Sequence, residues 1–206
     1  MYLPPGFREE RPEVLRALIA EFPLAALVTT GPDGLTANHL PFLYDPEPAP
    51  WGTLRGHLAR ANSQWRMAEG EAEALAIFQG PQAYVSPNWY PSKRETGRAV
   101  PTWNYAVVHA HGRLSAYSDP ERLREFLDRL TAEHEASQPI PWKPADAPAE
   151  YVDGLLRAIV GIELAITRIE GKWKTSQNQT AENRSGAADG LEALGKTAMA
   201  SLIRKL

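Results

Sequence analysis

Leu24 to Asp45 reads LAALVTTGPDGLTANHLPFLYD. Its first seven residues are apolar and become β-branched towards the end, and GPDG at Gly31 to Gly34 is a tight-turn sequence before a second strand-like run. The pattern predicts a β-hairpin. Upstream, RPEVLRALIAEF at Arg11 to Phe22 repeats apolar side chains at helical spacing with Pro12 in the first turn, which predicts an amphipathic helix. Downstream, proline-rich Pro46 to Gly52 is a loop, Thr53 to Arg60 is a strand running into a turn at Asn62, and Ser63 to Gly70 is a short capped helix.

Two strands are expected at Ala74 to Gln79 and Ala83 to Ser86, separated by Gly80-Pro81, and Pro87 to Arg98 is read as a loop. Val100 to Val108 and His111 to Tyr117 are expected to form a second hairpin. Asp119 to Ser137 is a strong helix, with Asp119 as cap, Pro120 in the first turn and Leu123, Phe126, Leu127 and Leu130 on one face. After a proline-rich connector come a helix at Ala149 to Ala158, a buried strand at Val160 to Ile169 and a helical pattern from Gln177 to Leu206. Six or seven short, mostly antiparallel strands with peripheral helices predict an α+β domain built on a small barrel. The reading is of a single domain over residues 1–206, with a helical C-terminal segment at about 177–206.

The chain has 206 residues, 43% of them hydrophobic and 23% charged, which excludes a disordered or collagen-like chain. It holds no cysteine, so disulfides, thiolate nucleophiles and Cys-ligated metals are excluded. No apolar run is long enough for a membrane span, and Met1 to Leu18 shows no basic segment leading into an apolar one; a cytoplasmic protein is expected. A formal charge of −3 argues against a generally basic, nucleic-acid-coating protein.

Familiar catalytic motifs fail: G-x-S-x-G, the Walker A sequence and G-x-G-x-x-G do not occur. His134-Glu135 begins a zincin-like pair, but Gln138 stands where the second ligand is needed. His109 and His111 share a strand face without a third ligand near in sequence, so they read as packed or solvated histidines. Polar and aromatic residues instead gather in five stretches: Asn38 to Pro41, Gly56 to Asn62, Gly80 to Lys93, Val100 to Tyr105 and Lys172 to Asn178. All five fall at strand ends or just beyond, where a barrel presents binding groups. Aromatics beside prolines, amides and cations suit a flat heterocycle carrying a phosphate, such as flavin mononucleotide (FMN). On residue types alone, Trp89, Trp103 and Trp173 equally suit cover for a core or a subunit interface.

In HLP at His39, GHLARAN at Gly56, FQGPQAYVSPNWYPSK at Phe78, VPTWNY at Val100 and KWKTSQN at Lys172, the chain resembles the PaiB family. These are FMN-binding negative transcriptional regulators related to the pyridoxamine-phosphate-oxidase-like split β-barrels. The segments run in order across most of the chain. One departure is that Thr175 and Gln179 stand where the family has Leu before the SQN triplet and Arg after it.

The resemblance implies an FMN-binding split β-barrel of mostly antiparallel strands with peripheral and C-terminal helices, forming a homodimer that holds the flavin between subunits. It places the phosphate near Arg60, Asn62 and His57, and the isoalloxazine edge along Asn38, His39, Leu40 and Pro41. Ser86, Trp89, Tyr90 and Lys93 would wall the site, Thr102, Trp103 and Asn104 would close it, and Lys174, Ser176 and Gln177 would complete it across the dimer. For function it implies a repressor that meets promoter DNA, with Lys93, Arg94 and Arg98, or Arg168, Lys172, Lys174, Arg204 and Lys205, as candidate basic surfaces. A flavin-dependent oxidoreductase, with Tyr105 or His109 as proton relay, is the alternative.

Overall fold

The computed structural model describes residues 1–32, 34–70 and 72–205. Among them eight strands are found: β1 (Arg8–Glu9), β2 (Leu24–Gly31), β3 (Gly34–Pro41), β4 (Leu43–Asp45), β5 (Thr53–Ala59), β6 (Glu73–Val85), β7 (Thr102–Tyr117) and β8 (Ile159–Lys174). The α-helices are α1 (Pro12–Glu21), α2 (Pro91–Thr96), α3 (Pro120–Glu135), α4 (Ala149–Arg157), α5 (Ala181–Ala193) and α6 (Thr197–Arg204). The strands join one sheet in the order β3-β2-β6-β7-β8-β5-β4, with β1 on β8. No helix among the described residues is long and apolar enough to cross a membrane.

The chain divides into two compact units: Met1–Phe22, Phe78–His109 and Glu170–Leu206 in the first, Pro23–Ile77 and Ala110–Ile169 in the second. In the second unit β2 and β3 pair antiparallel from Leu24↔Pro41 to Gly31↔Gly34. This is the hairpin expected from the sequence; Asp33, in the predicted turn, lies outside the described residues. β5 pairs antiparallel with both β4 and β8. Asp119 caps α3 as expected, accepting a hydrogen bond from Arg122 N at 2.8 Å. Its buried face carries Leu123, Phe126 and Leu130, the last two packed on Leu43.

Four sequence expectations need correction. Glu73–Val85 is one strand, because Gly80 is not a turn: a Cβ there would lie 2.9 Å from Leu18 Cδ1 and 3.3 Å from the Ala106 carbonyl. Thr102–Tyr117 is likewise one strand and not a hairpin: it runs on through residues 109–110, where the turn was expected, to Gly112, where a Cβ would collide with the Ala165 carbonyl. Both glycines permit close approach of backbones. β8 runs on to Lys174, which puts Lys172, Trp173 and Lys174 on a strand, and residues 87–98 hold a short 3-10 turn (Pro87–Trp89) and α2 in place of a plain loop.

The first unit is built around Ala83, Val85 and Tyr90 packed on Ala187, Ala188 and Leu191 of α5 and Met199, Ala200 and Ile203 of α6. Each fully buried Leu, Ile or Met side chain contributes about 1.5–3 kcal/mol. The contact is close because α5 carries Gly186 and Gly190, four residues apart, facing Trp89. A Cβ at Gly190 would overlap the Trp89 ring, and one at Gly186 the Trp89 carbonyl oxygen.

Exchanging a mid-helix glycine for alanine ordinarily stabilises by about 1 kcal/mol. Gly190→Ala is expected to reverse that sign and cost about 1–3 kcal/mol through overpacking. Gly154→Ala on α4, where a new Cβ meets nothing closer than Arg157 Nη2 at 3.9 Å, should be neutral or stabilising. Urea unfolding of the two variants measures both; equal effects would mean that the Trp89 contact does not constrain α5.

Candidate functional site

In the second unit, strand alternation sets the first group of candidates. Leu40 of β3 points into the core, His39 is exposed, and Asn38 and Pro41 are half-buried. Asn38 Nδ2 donates to Gln64 Oε1 at 2.9 Å, and Gln64 Nε2 donates in turn to the Leu27 carbonyl at 2.9 Å. Asn62 Oδ1 accepts from Gln64 N at 3.0 Å. Gln64 is almost wholly buried and organises the Asn38 side of the hairpin, a role with no signal in sequence because its partners lie 26 and 37 residues away.

Arg60 follows β5 and spends most of its guanidinium on the protein. Nε donates to the Arg157 carbonyl and Nη2 to the Ile159 carbonyl, both at 2.8 Å, and Nη1 and Nη2 each reach Ser118 Oγ at 3.3 Å. It still lines a cleft of about 470 Å³ with Ser118, Pro120, Asp153, Leu156 and Arg157. His57 of β5 meets the edge of Phe126 at a centroid distance of 5.9 Å, and its Nδ1 is buried without a partner. Burial holds the imidazole below the ordinary histidine range, which keeps it neutral near pH 7.

The second group lies in the first unit. Ser86 caps the 3-10 turn, its Oγ accepting from Asn88 N at 3.2 Å, and Lys93 Nζ donates to Asn88 Oδ1. Trp89 and Tyr90 then turn towards α5. Tyr90 is 3% exposed; burial raises its phenol, Ser176 offsetting this in part, and its hydroxyl makes no well-formed hydrogen bond. Asn104 on β7 is fully buried, with Nδ2 donating to Ser176 Oγ at 2.8 Å and Oδ1 unpartnered. Ser176 holds φ +68°, a left-handed conformation that turns the chain after β8 and brings its hydroxyl to Asn104.

Around this buried trio the surface is aromatic and polar. Trp103 is 50% exposed, donates from Nε1 to Gln82 Oε1 at 2.6 Å and stands edge-to-face with exposed Tyr84 at 6.2 Å. Lys174 Nζ donates to Thr102 Oγ1. Gln177 folds onto its own turn: Oε1 accepts from Thr175 N at 2.7 Å and Nε2 donates to the Trp173 carbonyl. Among the residues that sequence reasoning missed, Gln82 and Tyr84 orient Trp103. Buried Asn183 on α5 ties the helix to Ser92 at 2.9 Å. Of the candidate basic residues, Arg204 is paired with Asp189 and Glu192, and Lys172 donates to the Tyr2 carbonyl at 3.0 Å while facing the Tyr105 ring.

Each unit holds groups of a kind that a phosphorylated or planar, polar-edged ligand uses. The first unit offers exposed aromatic faces at Trp103 and Tyr84, ammonium groups at Lys93 and Lys174, and two buried polar atoms without partners. The second offers Arg60 beside a cleft together with the amide network on β3.

The neutral state of His57 has a consequence for stability. The folded pKa lies below the unfolded value of about 6.5, so on acidification the unfolded chain takes up the proton first. Stability is therefore lost as pH falls from about 6.5 towards the folded pKa and levels off below it. His57→Gln should flatten that part of the profile. Parallel profiles of melting temperature against pH would contradict a buried, neutral His57.

Residues 1–168 match the family described as "Putative FMN-binding domain". The chain is 35% identical over 243 aligned residues to AN0679 of Emericella nidulans, covering 100% of this chain and 97% of that one. It is 32% identical over 180 residues to the protease synthase and sporulation protein PAI 2 of Bacillus subtilis, covering 87% and 83%. In structure it is similar to the flavocytochrome Anf3 of Azotobacter vinelandii, with TM-score 0.62 at 14% identity, covering 86% of this chain and 74% of that one. It is also similar to the FAD and heme binding protein of Mycobacterium smegmatis, with TM-score 0.59 at 16% identity, covering 90% and 78%. These likenesses in structure identify the fold as the split barrel of flavin-binding proteins, α+β with a mostly antiparallel sheet.

Proposed function

We propose, from the premise that this chain belongs to the FMN-binding domain family that its residues 1–168 match, that it is a regulator whose bound flavin is held at a homodimer interface in the cytoplasm. FMN is its cofactor. Bound flavin supplies electron-transfer chemistry and a planar, polar-edged ring; the protein supplies placement and electrostatics. The observation that carries the regulatory part is the likeness to PAI 2 over 87% of the chain.

Two groups of residues, one in each unit, meet the chemistry of FMN. In the first unit we assign Trp103, with Tyr84 beside it, to ring stacking, the Tyr90 hydroxyl and Asn104 Oδ1 to polar contact, and Lys174 to charge. Ser86, Trp89, Thr102 and Gln177 shape this surface by holding the turns. In the second unit we assign Arg60, supported by Asn62 and neutral His57, to the phosphate, and Asn38 to Pro41 on β3 to the isoalloxazine edge. The unbonded N–H of Arg60 Nη1 is the donor available to an oxyanion.

FMN and riboflavin separate the two assignments. A charge-assisted bond to a phosphate is worth about 1.5–3 kcal/mol and riboflavin has no phosphate to lose, so Arg60→Ala should weaken FMN by that much more than riboflavin. Trp103→Ala removes stacking worth about 0.5–1.5 kcal/mol beyond area burial and should weaken both ligands alike. Equal losses for both ligands in Arg60→Ala would remove Arg60 from the phosphate, and unchanged binding in Trp103→Ala would remove the aromatic face from the flavin.

For the regulatory part, Arg94 on α2 and Arg98 beyond it are exposed and carry no ion pair among the described residues, and Lys93 lies on the same helix. A protein meeting DNA phosphates there should bind promoter fragments with an affinity that falls steeply with salt. The double variant Arg94→Ala, Arg98→Ala should reduce the slope of log K against log salt by about 2. No DNA binding at low salt, together with steady oxidation of a reduced nicotinamide by the FMN-loaded protein, would reverse this reading in favour of an oxidoreductase.

A further inference from the structure

In the first unit, α1 and α6 flank a hollow of about 400 Å³, a size typical of sites for small molecules. Its cause is local. α1 is anchored through Leu15 and Ile19, and α6 through Met199, Ala200 and Ile203, all buried on other faces of the helices. Three of the positions that the helices turn towards the hollow are small, Ala17 on α1 and Ala198 and Ser201 on α6, which leaves space between the larger side chains around them. Leu18, Pro81 and Ala106 make an apolar floor, and partly exposed Val14, Phe22, Trp173 and Leu202 form the walls.

Charge at the mouth is uneven. Arg8, Arg11 and Lys205 stand there with Glu9 and Glu21, an excess of one positive charge. Arg11 is engaged by Glu9, Nε to Oε1 at 2.9 Å, and this pairing holds the Glu9 carboxyl below the usual carboxylate range. Arg8 is paired with Glu10 at 3.2 Å. Lys205 has no anionic partner among the described residues, and Ser201 lies one helical turn before it on α6.

We infer that this hollow is a binding site for a small monocarboxylic acid with an aromatic or branched apolar body, the carboxylate meeting Lys205 and Ser201 and the body lying on the apolar floor beside Trp173. An apolar pocket with a few convergent polar groups is the general form of a small-molecule site. Of the flavin candidates only Gln177 reaches this hollow, and both ends of its amide are already engaged within its own turn. The inference therefore stands apart from the flavin assignment and gives the protein a second small-molecule input.

The test is calorimetric titration of the full chain, with and without FMN, using 3-phenylpropionate as probe and its neutral amide, 3-phenylpropanamide, as comparator. The acid should bind several-fold more tightly than the amide. Lys205→Gln should remove most of that preference, about five- to tenfold for one partly screened charge-assisted bond. Ser201→Trp, a change at an exposed position that fills the mouth, should abolish binding of both compounds while FMN affinity stays unchanged. No heat at millimolar acid, equal binding of acid and amide, or full binding by Ser201→Trp would each overturn the inference. Displacement of FMN by the acid would also overturn it by making the hollow part of the flavin site. If FMN itself fails to bind, the flavin reading falls while titration of the flavin-free protein still decides this one.

Discussion

Trp89 occupies space that exists because residues 186 and 190 have no Cβ, its carbonyl lying over Gly186 and its indole over Gly190. Glycine is costly inside a helix, by about 0.5–1 kcal/mol relative to alanine, so two of them facing one residue need a packing reason. Here the reason is that the 3-10 turn at Pro87–Trp89 can press directly on α5. Once it does, Tyr90 is delivered into the apolar contact with Leu191, Met199 and Ile203, and Ser92 reaches Asn183. The polar loop that a sequence presents as free is thus fixed by an apolar contact on its other side.

The same economy governs the polar candidates. A side chain that completes its own turn has little left for a ligand, as with Gln177, both ends of whose amide are satisfied within four residues. Arg60 is an intermediate case: two backbone carbonyls and Ser118 take four of its five N–H groups, which makes it rigid and still leaves one donor. Rigid groups with one free valence suit recognition, because little side-chain entropy remains to be lost when a ligand arrives. Trp103 follows the same logic, its ring oriented by Gln82 and Tyr84 yet half exposed.

What could be read from the sequence follows the range of the forces involved. α1 and α3 were legible because a first-turn proline and apolar spacing, joined in α3 by the Asp119 cap, lie within one segment, and the β2–β3 hairpin because its turn is written in four consecutive residues. β6 was misjudged at Gly80, where glycine serves a neighbour far along the chain and nothing local separates that use from a turn, and β7 at residues 109–110, where one continuous strand was divided in two. The candidate stretches were legible as chemistry, but the partners that orient them were not. Gln64 acts on residues 26 and 37 positions away, and Asn183 on one 91 positions away.

The buried trio of Tyr90, Asn104 and Ser176 shows where packing and function pull against each other. A buried donor or acceptor left unmatched costs about 1–3 kcal/mol, and here the phenol hydroxyl and Asn104 Oδ1 are both unmatched. Ser176 adds a left-handed backbone in a residue other than glycine. A purely structural cluster would be better served by phenylalanine and leucine at positions 90 and 104, which would bury the same area without the penalty. Polar groups held this way by an apolar frame are poised for whatever reaches them, water or the polar edge of a bound ring. On the proposed flavin reading, that is the physical ground for giving Tyr90 and Asn104 a polar contact while Trp89 is left to the frame.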